Sequence, residues 1–347
     1  MTIQEFVDIR TKRRLLQQIF WECTLRCNLN CLHCGSDCRK EDMPTDMPFE
    51  DFARVLDEVA KEKKPSKILV ITTGGEPLVR KDIAECGREI TRRGFKWGMV
   101  SNGMLLDQTK LDELIDAGLK TIAISLDGFE ADHNWMRGNS QSFQRAVRAI
   151  DFLVKTSITW DVITCVNQRN YNSIPKFMDF LISHGVRHWR VFTAFPAGRA
   201  KNNEDLQLTP DQFRTLMEFI KVVRRTQKVH LSYSCEGFLG EYEMEVREHP
   251  FFCGAGINVA SIRYDGAISG CLSIRSHFDQ GNIYKDSFMD VWNQRFDMFR
   301  GREWMRQAEC KDCKVWNLCR GGAMHLRNED GVMAGCSYLK NKNACKN

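Results

Sequence analysis

The sequence predicts an α/β protein built on a mainly parallel sheet, followed by a small cysteine-rich module. From Gln17 to about Arg199, short apolar runs alternate with amphipathic helical stretches, giving six strand-helix units in succession. After about Gln227 the helical periodicity weakens, and cysteine, glycine and tryptophan accumulate. The first part therefore predicts a parallel sheet with helical crossovers, either an open barrel or a doubly wound sheet. The second part predicts a loop-rich module in which metal ligation supplies stability.

The individual elements follow from apolar spacing. In the first candidate helix, Phe49, Phe52, Val55, Leu56 and Val59 recur at helical intervals. The candidate strands are Gln17 to Glu22, Lys67 to Thr72, Lys96 to Ser101, Thr121 to Leu126, Thr159 to Val166 and His188 to Phe192. The candidate helices are Pro48 to Lys61, Asp82 to Arg93, Gln108 to Ala117, Phe143 to Thr156, Asn172 to His184 and Pro210 to Gln227.

Unusual residues follow the first four strands. In folds of this kind, functional residues gather on the loops after the strand C-termini, so we expect all four segments on one rim. The segments are the cysteine run Cys27 to Cys34, the turn Thr73-Gly74-Gly75-Glu76-Pro77, the strand end Ser101-Asn102-Gly103 and the strand end Ser125-Leu126-Asp127-Gly128.

Composition narrows the class of protein. The chain has 347 residues, 43% of them hydrophobic and 27% charged, which is typical of a globular protein with room for about two domains. A net charge of +5 is too mild to indicate nucleic-acid binding, and the basic run from Arg10 to Arg14 is expected to be a solvated face. We expect a cytoplasmic protein, because no signal peptide or membrane span is evident. In that reducing compartment, fifteen cysteines indicate metal ligation.

The spacing Cys27-x3-Cys31-x2-Cys34 can turn three thiolates toward one compact metal centre. A structural zinc site normally has a fourth ligand, which Cys23 or His33 would have to provide. An iron-sulfur cube held by three thiolates instead leaves one iron free to bind a small molecule. For Cys23 and for three further lone cysteines we expect buried, apolar roles. Those three are Cys38, Cys86 and Cys165.

The turns after the later strands suit a small zwitterionic ligand. Gly74 and Gly75 let the backbone approach a ligand closely, and the carboxylate of Glu76 can accept from an ammonium group. Ser125 and Asp127 place a hydroxyl and a carboxylate at a strand end, with Arg137 shortly beyond. Each turn alone is equally typical of a turn with a purely structural role. Only their expected position on one rim favours a binding site.

Taken together, these motifs resemble the radical S-adenosylmethionine (SAM) enzymes over roughly Gln17 to Gln227. The resemblance implies a partial (β/α)6 TIM-like barrel, with a 4Fe-4S cluster on Cys27, Cys31 and Cys34 whose open iron chelates SAM. Reductive cleavage of SAM then gives a 5'-deoxyadenosyl radical that abstracts a substrate hydrogen. The implied SAM-binding residues are His33, Gly74, Gly75, Glu76, Pro77, Asn102, Ser125, Asp127 and Arg137.

The C-terminal part resembles the SPASM domain, which binds auxiliary iron-sulfur clusters. We therefore expect an N-terminal extension at 1–16, a radical SAM core at 17–230 and a SPASM-like domain at 231–347. Where the family usually has a further cysteine, this chain has Ala323. The resemblance thus implies one secure auxiliary 4Fe-4S cluster and one doubtful site at Cys253 and Cys271, which Cys235 or Cys345 would have to complete. The ligands of the secure cluster are Cys310, Cys313, Cys319 and Cys336.

The resemblance implies a peptide or small protein as substrate, presented directly or by a separate recognition protein. The alternatives are a tetrapyrrole- or haem-modifying enzyme of the same build and, from another class, a non-catalytic iron-sulfur electron carrier. A sulfatase maturase is disfavoured because Leu272, and not an acidic residue, follows Cys271. An electron donor such as flavodoxin or ferredoxin is implied, whereas nucleic-acid and membrane partners are not expected.

Overall fold

The computed structural model describes residues 2–41, 43–234, 236–274, 276–328 and 330–343. Within these residues, ten strands form one sheet. The strands are β1 Gln18–Thr24, β2 Leu69–Gly74, β3 Lys96–Ser101, β4 Leu119–Ser125, β5 Thr159–Val166, β6 His188–Thr193, β7 His230–Tyr233, β8 Val259–Ile262, β9 Ala267–Ser269 and β10 Gly281–Asn282.

The α-helices of the described residues flank this sheet or lie in the C-terminal part. They are α1 Ile3–Arg13, α2 Phe49–Glu62, α3 Ile83–Arg92, α4 Gln108–Asp116, α5 Glu130–Arg137, α6 Ser142–Leu153, α7 Ile174–Ser183, α8 Pro210–Thr226, α9 Phe288–Gln294, α10 Asp297–Arg300, α11 Trp316–Cys319 and α12 Ser337–Asn343. No helix among the described residues combines the length and apolar character needed to cross a bilayer.

The strand order distinguishes the two predicted architectures. Strands β1 to β7 follow one another in sequence order, and every neighbouring pair is parallel. A doubly wound sheet reverses its strand order at a switch point, whereas an unreversed order with right-handed crossovers keeps the helices on one face. The predicted partial TIM-like barrel is therefore confirmed. Trp21 of β1 shows the outer packing, since its ring stacks on Phe52 of α2 with centroids 4.5 Å apart.

The C-terminal part continues the same sheet. Strand β8 pairs in parallel with β1, from Gln18 opposite Val259 to Trp21 opposite Ile262. Strands β9 and β10 then add to it in antiparallel fashion. The two parts of the chain therefore share one uninterrupted sheet, which the sequence did not predict.

Strands β3 and β5 have the bounds expected from the sequence, and up to Tyr233 two helices and one strand were not expected. These are α1, α5 and β7, and β7 crosses the proposed boundary at residue 230. That boundary stays a prediction. The basic run after Ile9 is only partly a solvated face, because the Arg10 guanidinium lies 4.8 Å from the ring centroid of Phe6. Lys12 and Arg13 are exposed, as expected.

Candidate active site at the carboxyl end of the barrel

The cysteine loop begins where β1 ends, at Thr24, and is held by backbone hydrogen bonds. The Cys27 N–H donates to the Arg39 carbonyl over 2.7 Å, and the Leu32 N–H donates to the Met136 carbonyl over 2.9 Å. Because Met136 belongs to α5, this helix anchors the middle of the loop. The three predicted cluster cysteines therefore lie on one ordered loop, with Cys31 buried and Cys27 and Cys34 partly exposed.

The turn after β2 docks directly on the cysteine loop. The Gly75 N–H donates to the Thr24 carbonyl over 2.7 Å, and the Glu76 N–H donates to the Arg26 carbonyl over 2.9 Å. A Cβ atom on Gly75 would lie only 2.1 Å from the Arg26 oxygen, and Gly74 has a positive φ of 123°. These glycines let the backbone approach the cysteine loop, whereas the sequence had suggested approach to a ligand. Ligand contact at this turn stays a prediction.

Glu76 joins this turn to the end of β3. Its carboxylate is 1% exposed and accepts from Ser101 Oγ over 2.8 Å, from the Asn102 N–H over 2.7 Å and from the Leu78 N–H over 3.1 Å. Burial raises the pKa of Glu76, although these hydrogen bonds act in the opposite direction. Pro77 starts the short 3-10 helix Pro77–Val79 that follows. The carboxylate therefore fixes the geometry of the rim, with one lone pair of Oε2 left for a ligand.

Asn102 connects the end of β3 back to the cysteine loop. Its Nδ2 donates to Asn28 Oδ1 over 2.8 Å and lies 4.0 Å from Cys27 Sγ. Its Oδ1 accepts from the Met104 N–H over 2.9 Å. The side chain is therefore fixed beside a predicted cluster sulfur.

Asp127 and Arg137 form a buried ion pair behind Cys31. Arg137 Nε donates to Asp127 Oδ2 over 2.6 Å, and its Nη1 lies 3.7 Å from Cys31 Sγ. The other Asp127 oxygen accepts from the Cys165 N–H over 2.9 Å. Burial raises the pKa of Asp127, but Arg137 and the neighbouring histidines outweigh this effect and lower it to about 2. Asp127 thus orients Arg137, and its predicted direct contact with SAM remains untested.

Ser125 ends β4 and is 7% exposed, on the same rim. His33 lies between two of the cysteines, and its Nδ1 is buried without a hydrogen-bond partner among the described residues. Burial, together with Arg137, lowers the pKa of His33 to about 4, so the ring is neutral at pH 7. A neutral, unpartnered ring nitrogen is available to a bound group.

The lone cysteines are buried, as expected. Cys23 and Cys165 are 0% exposed, Cys86 is 1% exposed and Cys38 is 2% exposed. Cys38 is more than a packing residue, because a hydrogen bond between the two side chains lowers the pKa of Cys34 to about 6. The spacing Cys34-x3-Cys38 is the signal for this contact in the sequence.

Cys23 is not placed to complete a zinc site with the three cysteines of the loop. Cys23 Sγ donates to the Thr73 carbonyl over 3.4 Å, so Cys23 faces β2 and is not a fourth ligand. Within the described ranges, no group of three or more His, Cys, Asp or Glu side chains is arranged to hold one metal ion. An iron-sulfur cluster distributes its thiolates over several irons. Donors from Arg137 and Asn102 toward two of the sulfurs suit thiolates that bind such a cluster.

Four cysteines of the C-terminal part lie near one another. Burial, and then the charges of the other three thiols, raises the pKa of Cys319 to about 12. Burial also raises the pKa of Cys336, with a smaller contribution from Cys310 and Cys313, although two backbone hydrogen bonds act in the opposite direction. Arg327 Nη2 lies 3.3 Å from Cys310 Sγ and also donates to the Gly321 carbonyl over 2.8 Å. This set, completed by Cys313, fits one auxiliary cluster. No sequence pattern pointed to Arg327.

The second predicted auxiliary site is less complete. Ala323 is 1% exposed and packs in an apolar cluster with Phe238 and Phe251, against which Cys253 also packs. Arg302 holds this turn, since it donates to the Cys253 carbonyl over 3.0 Å and to the Gly322 carbonyl over 3.1 Å. Cys271 is partly exposed. The other cysteines that the sequence offered for this site, Cys235 and Cys345, lie outside the described residues.

Comparisons with known families agree with both halves of the chain. Residues 21–181 match the radical SAM superfamily, and residues 253–314 match the SPASM iron-sulfur cluster-binding domain. Mycofactocin maturase MftC of Mycolicibacterium smegmatis is 30% identical over 323 residues, which cover 90% of this chain and 79% of that protein. AdoMet-dependent heme synthase of Methanosarcina barkeri is 27% identical over 322 residues, which cover 87% of this chain and 90% of that protein.

Among solved structures, the fold is similar to that of anSMEcpe with bound AdoMet. The TM-score is 0.73 at 18% identity, and 95% of each chain is covered. The structure of Streptococcus suis SuiB bound to S-adenosylmethionine has a TM-score of 0.71 at 16% identity and covers 95% of this chain and 79% of that one. At these identities the likeness shows the fold alone.

Proposed function

Because the chain belongs to the radical SAM superfamily and carries a SPASM domain, we propose that it modifies a peptide or small protein by hydrogen abstraction. The family implies a 4Fe-4S cluster with SAM, and the SPASM domain implies auxiliary clusters. When bound, the reduced cluster supplies the electron that cleaves SAM to methionine and a 5'-deoxyadenosyl radical. The protein binds, orients and shields the reactants.

In this proposal, Cys27, Cys31 and Cys34 hold the first cluster. Arg137 donates toward the sulfur of Cys31, and Asn102 donates toward the sulfur of Cys27. Both donors stabilise negative charge on the thiolates. The remaining SAM-binding residues lie on the same rim and bind the amino-acid part and the nucleoside of SAM: His33, Gly74, Gly75, Glu76, Pro77 and Ser125. Asp127 contributes by orienting Arg137.

The pairing of charges around the rim is the observation that carries the proposed substrate class. Tetrapyrroles carry several carboxylates, which need unpaired cations in a binding site. A peptide segment can bind without such unpaired cations. Four arginines that follow strand ends are each already paired with an aspartate: Arg26 with Asp46, Arg137 with Asp127, Arg169 with Asp132, and Arg199 with Asp37.

A tetrapyrrole or haem substrate is the second candidate, because the Methanosarcina barkeri relative is named as a haem synthase. Asp37 also pairs with Arg39, so this arginine beside the cysteine loop has a partner as well, which again favours a peptide over a substrate with several carboxylates.

The first test measures 5'-deoxyadenosine and methionine from anaerobically reconstituted, reduced protein mixed with SAM. A flavodoxin or ferredoxin, the proposed electron donor, replaces the chemical reductant in a second run. We expect formation by the wild type and none by Cys31→Ala. An inert wild type with intact clusters would contradict the proposed activity.

The second test separates the substrate classes. Candidate precursor peptides encoded near the gene, with and without a co-encoded recognition protein, are compared with Fe-coproporphyrin III as a tetrapyrrole probe. We expect a peptide to gain a mass change that depends on SAM, and the porphyrin to remain unaltered. Conversion of the porphyrin would replace the peptide proposal with the second candidate.

A further inference from the structure

The N-terminal helix α1 packs on the C-terminal, cysteine-rich part of the chain. Phe6 is 9% exposed, and its ring contacts those of Phe252 and His249, each with centroids 6.3 Å apart. Val7 is 3% exposed. A capping box between Thr2 and Glu5 starts the helix directly ahead of this contact.

A small, partly open cavity of about 20 Å³ lies behind α1. Val7 and Thr11 form part of its wall from the helix side, and Cys253 and Cys319 line it from the other. Both cysteines are partly exposed with the helix in place, and removal of α1 would widen the access of solvent to this space and to them. Burial of apolar side chains stabilises the packing of the helix on the C-terminal part. Phe6 contributes most to this free energy, because its side chain is the largest of those buried.

An ion pair fixes α1 beside the same thiols. Asp8 Oδ1 accepts from Arg320 Nη2, and Arg320 directly follows Cys319 in the chain. Arg320 ends α11 in the left-handed conformation, with φ 49°, and its N–H donates to the Trp316 carbonyl over 2.7 Å. The pair is partly exposed, at 51% for Asp8 and 32% for Arg320. It therefore contributes little to the free energy of helix docking and mainly fixes the position of α1 along the C-terminal part.

We propose that α1 is the outer wall of the auxiliary-cluster site, where it keeps water, oxygen and chelators from the cluster that Cys319 helps to bind. The inference rests on the proposed assignment of Cys319 as a cluster ligand. Access of solvent to an iron-sulfur site is set by the apolar shell around it, and α1 supplies part of that shell through Phe6 and Val7. In this proposal the helix protects the cofactor.

The test follows cluster loss from full-length, reconstituted protein after addition of an iron chelator such as bathophenanthroline disulfonate. Electron paramagnetic resonance of reduced samples separates the clusters, because SAM perturbs only the signal of the first. We expect Phe6→Ala to lose the auxiliary signal at least about tenfold faster than the wild type. Weakening the docking of α1 by about 1.4 kcal/mol raises the equilibrium population of the undocked helix tenfold. Asp8→Asn is expected to lose it about threefold faster, as suits a partly exposed pair.

Lys12→Ala is the matched control, because Lys12 is exposed on the same helix, and it should keep the wild-type rate. The swap Asp8→Arg with Arg320→Asp should restore slow loss and keeps the test decisive if Phe6→Ala does not fold. Equal rates in every variant, or equal acceleration for both clusters, would overturn the proposal. Failure of the wild type to cleave SAM would contradict the proposed function and leave this comparison intact, because cluster retention is what is measured.

Discussion

At the scale of single residues, the rim side chains bond first to one another. Glu76 accepts three hydrogen bonds from its own chain, and both oxygens of Asp127 are occupied by Arg137 and Cys165. For the proposed SAM site, such contacts order the rim in advance, which lowers the entropic cost of binding. The residue types were readable from sequence, whereas their mutual bonds required the fold.

Asp127→Asn tests the buried ion pair. Removing one charge leaves Arg137 buried and unpaired, so we expect a loss of about 3 kcal/mol of stability and a melting temperature lower by about 5 °C. The folded pKa of Asp127 is about 2, below its ordinary value of 3.8. A carboxyl group whose pKa is lowered in the folded state stabilises the fold at any pH above its ordinary pKa. This stability is lost as the pH falls through the pKa of the folded state.

The loss caused by Asp127→Asn should therefore be equal at pH 7 and pH 5, as measured by anaerobic thermal melts. Asp132→Asn is the control, since Asp132 pairs with the 43%-exposed Arg169 and should matter little. A clearly smaller loss at pH 5 than at pH 7 would contradict the lowered pKa of Asp127.

At the scale of elements, the sequence predicts what has a strong period and misses what depends on tertiary contact. Strands β3 and β5 match their expected bounds because their apolar runs are bounded by clear turn residues. Helix α5 was missed because most of its residues are polar, and it is positioned by the cysteine loop that bonds to it. Strand β7 was missed because four residues next to a weakening pattern give little periodicity.

Gly75→Ala tests the docking of the β2 turn on the cysteine loop. A methyl group there would lie 2.1 Å from the Arg26 carbonyl oxygen, and a backbone oxygen cannot move away cheaply. We expect the variant to lose most of the first cluster and to retain the auxiliary cluster. The readout is iron content together with the resonance signal that responds to SAM.

Gly35→Ala is the matched control for this change, because Gly35 lies in the cysteine loop itself. A methyl group there would meet only the Phe195 ring at 3.6 Å, an ordinary contact distance. Equal loss of the SAM-responsive signal in both variants would show that the docking of the turn is not what matters.

Gly87→Ala tests the packing of α3 on the sheet. The added methyl would lie 2.1 to 2.5 Å from ring atoms of Trp97, which is 0% exposed. Overpacking of this kind costs about 1–3 kcal/mol, which outweighs the gain of about 1 kcal/mol in helix propensity. We expect a lower melting temperature, and a smaller loss when the change is made in a Trp97→Phe background. Equal losses in both backgrounds would exclude the ring as the cause.

At the scale of the whole molecule, one sheet links the two cluster-binding parts. Strand β8 extends the barrel beside β1, the strand from which the cysteine loop emerges. Helix α1, which precedes β1, packs on the C-terminal part. The position of the SPASM module relative to the barrel is therefore fixed by two contacts: the pairing of β8 with β1, and the packing of α1, the helix before β1, on the C-terminal part. The sequence indicated the two modules through their motifs, but the pairing of β1 with β8 spans some 240 residues and leaves no local pattern.

The number of clusters is a prediction that can be tested by counting iron. In the proposed assignment, Cys310, Cys313, Cys319 and Cys336 bind one auxiliary cluster. At the other proposed site the place of a cysteine is taken by Ala323, which is buried beside Phe238 and Phe251. We therefore expect about eight irons per reconstituted chain, four for each of two 4Fe-4S clusters. Cys31→Ala and Cys319→Ala should each lower the content to about four. Cys253→Ala is the control and should leave about eight. A wild-type content of about twelve would show that a further ligand completes the site at Cys253 and Cys271, and would contradict the two-cluster count.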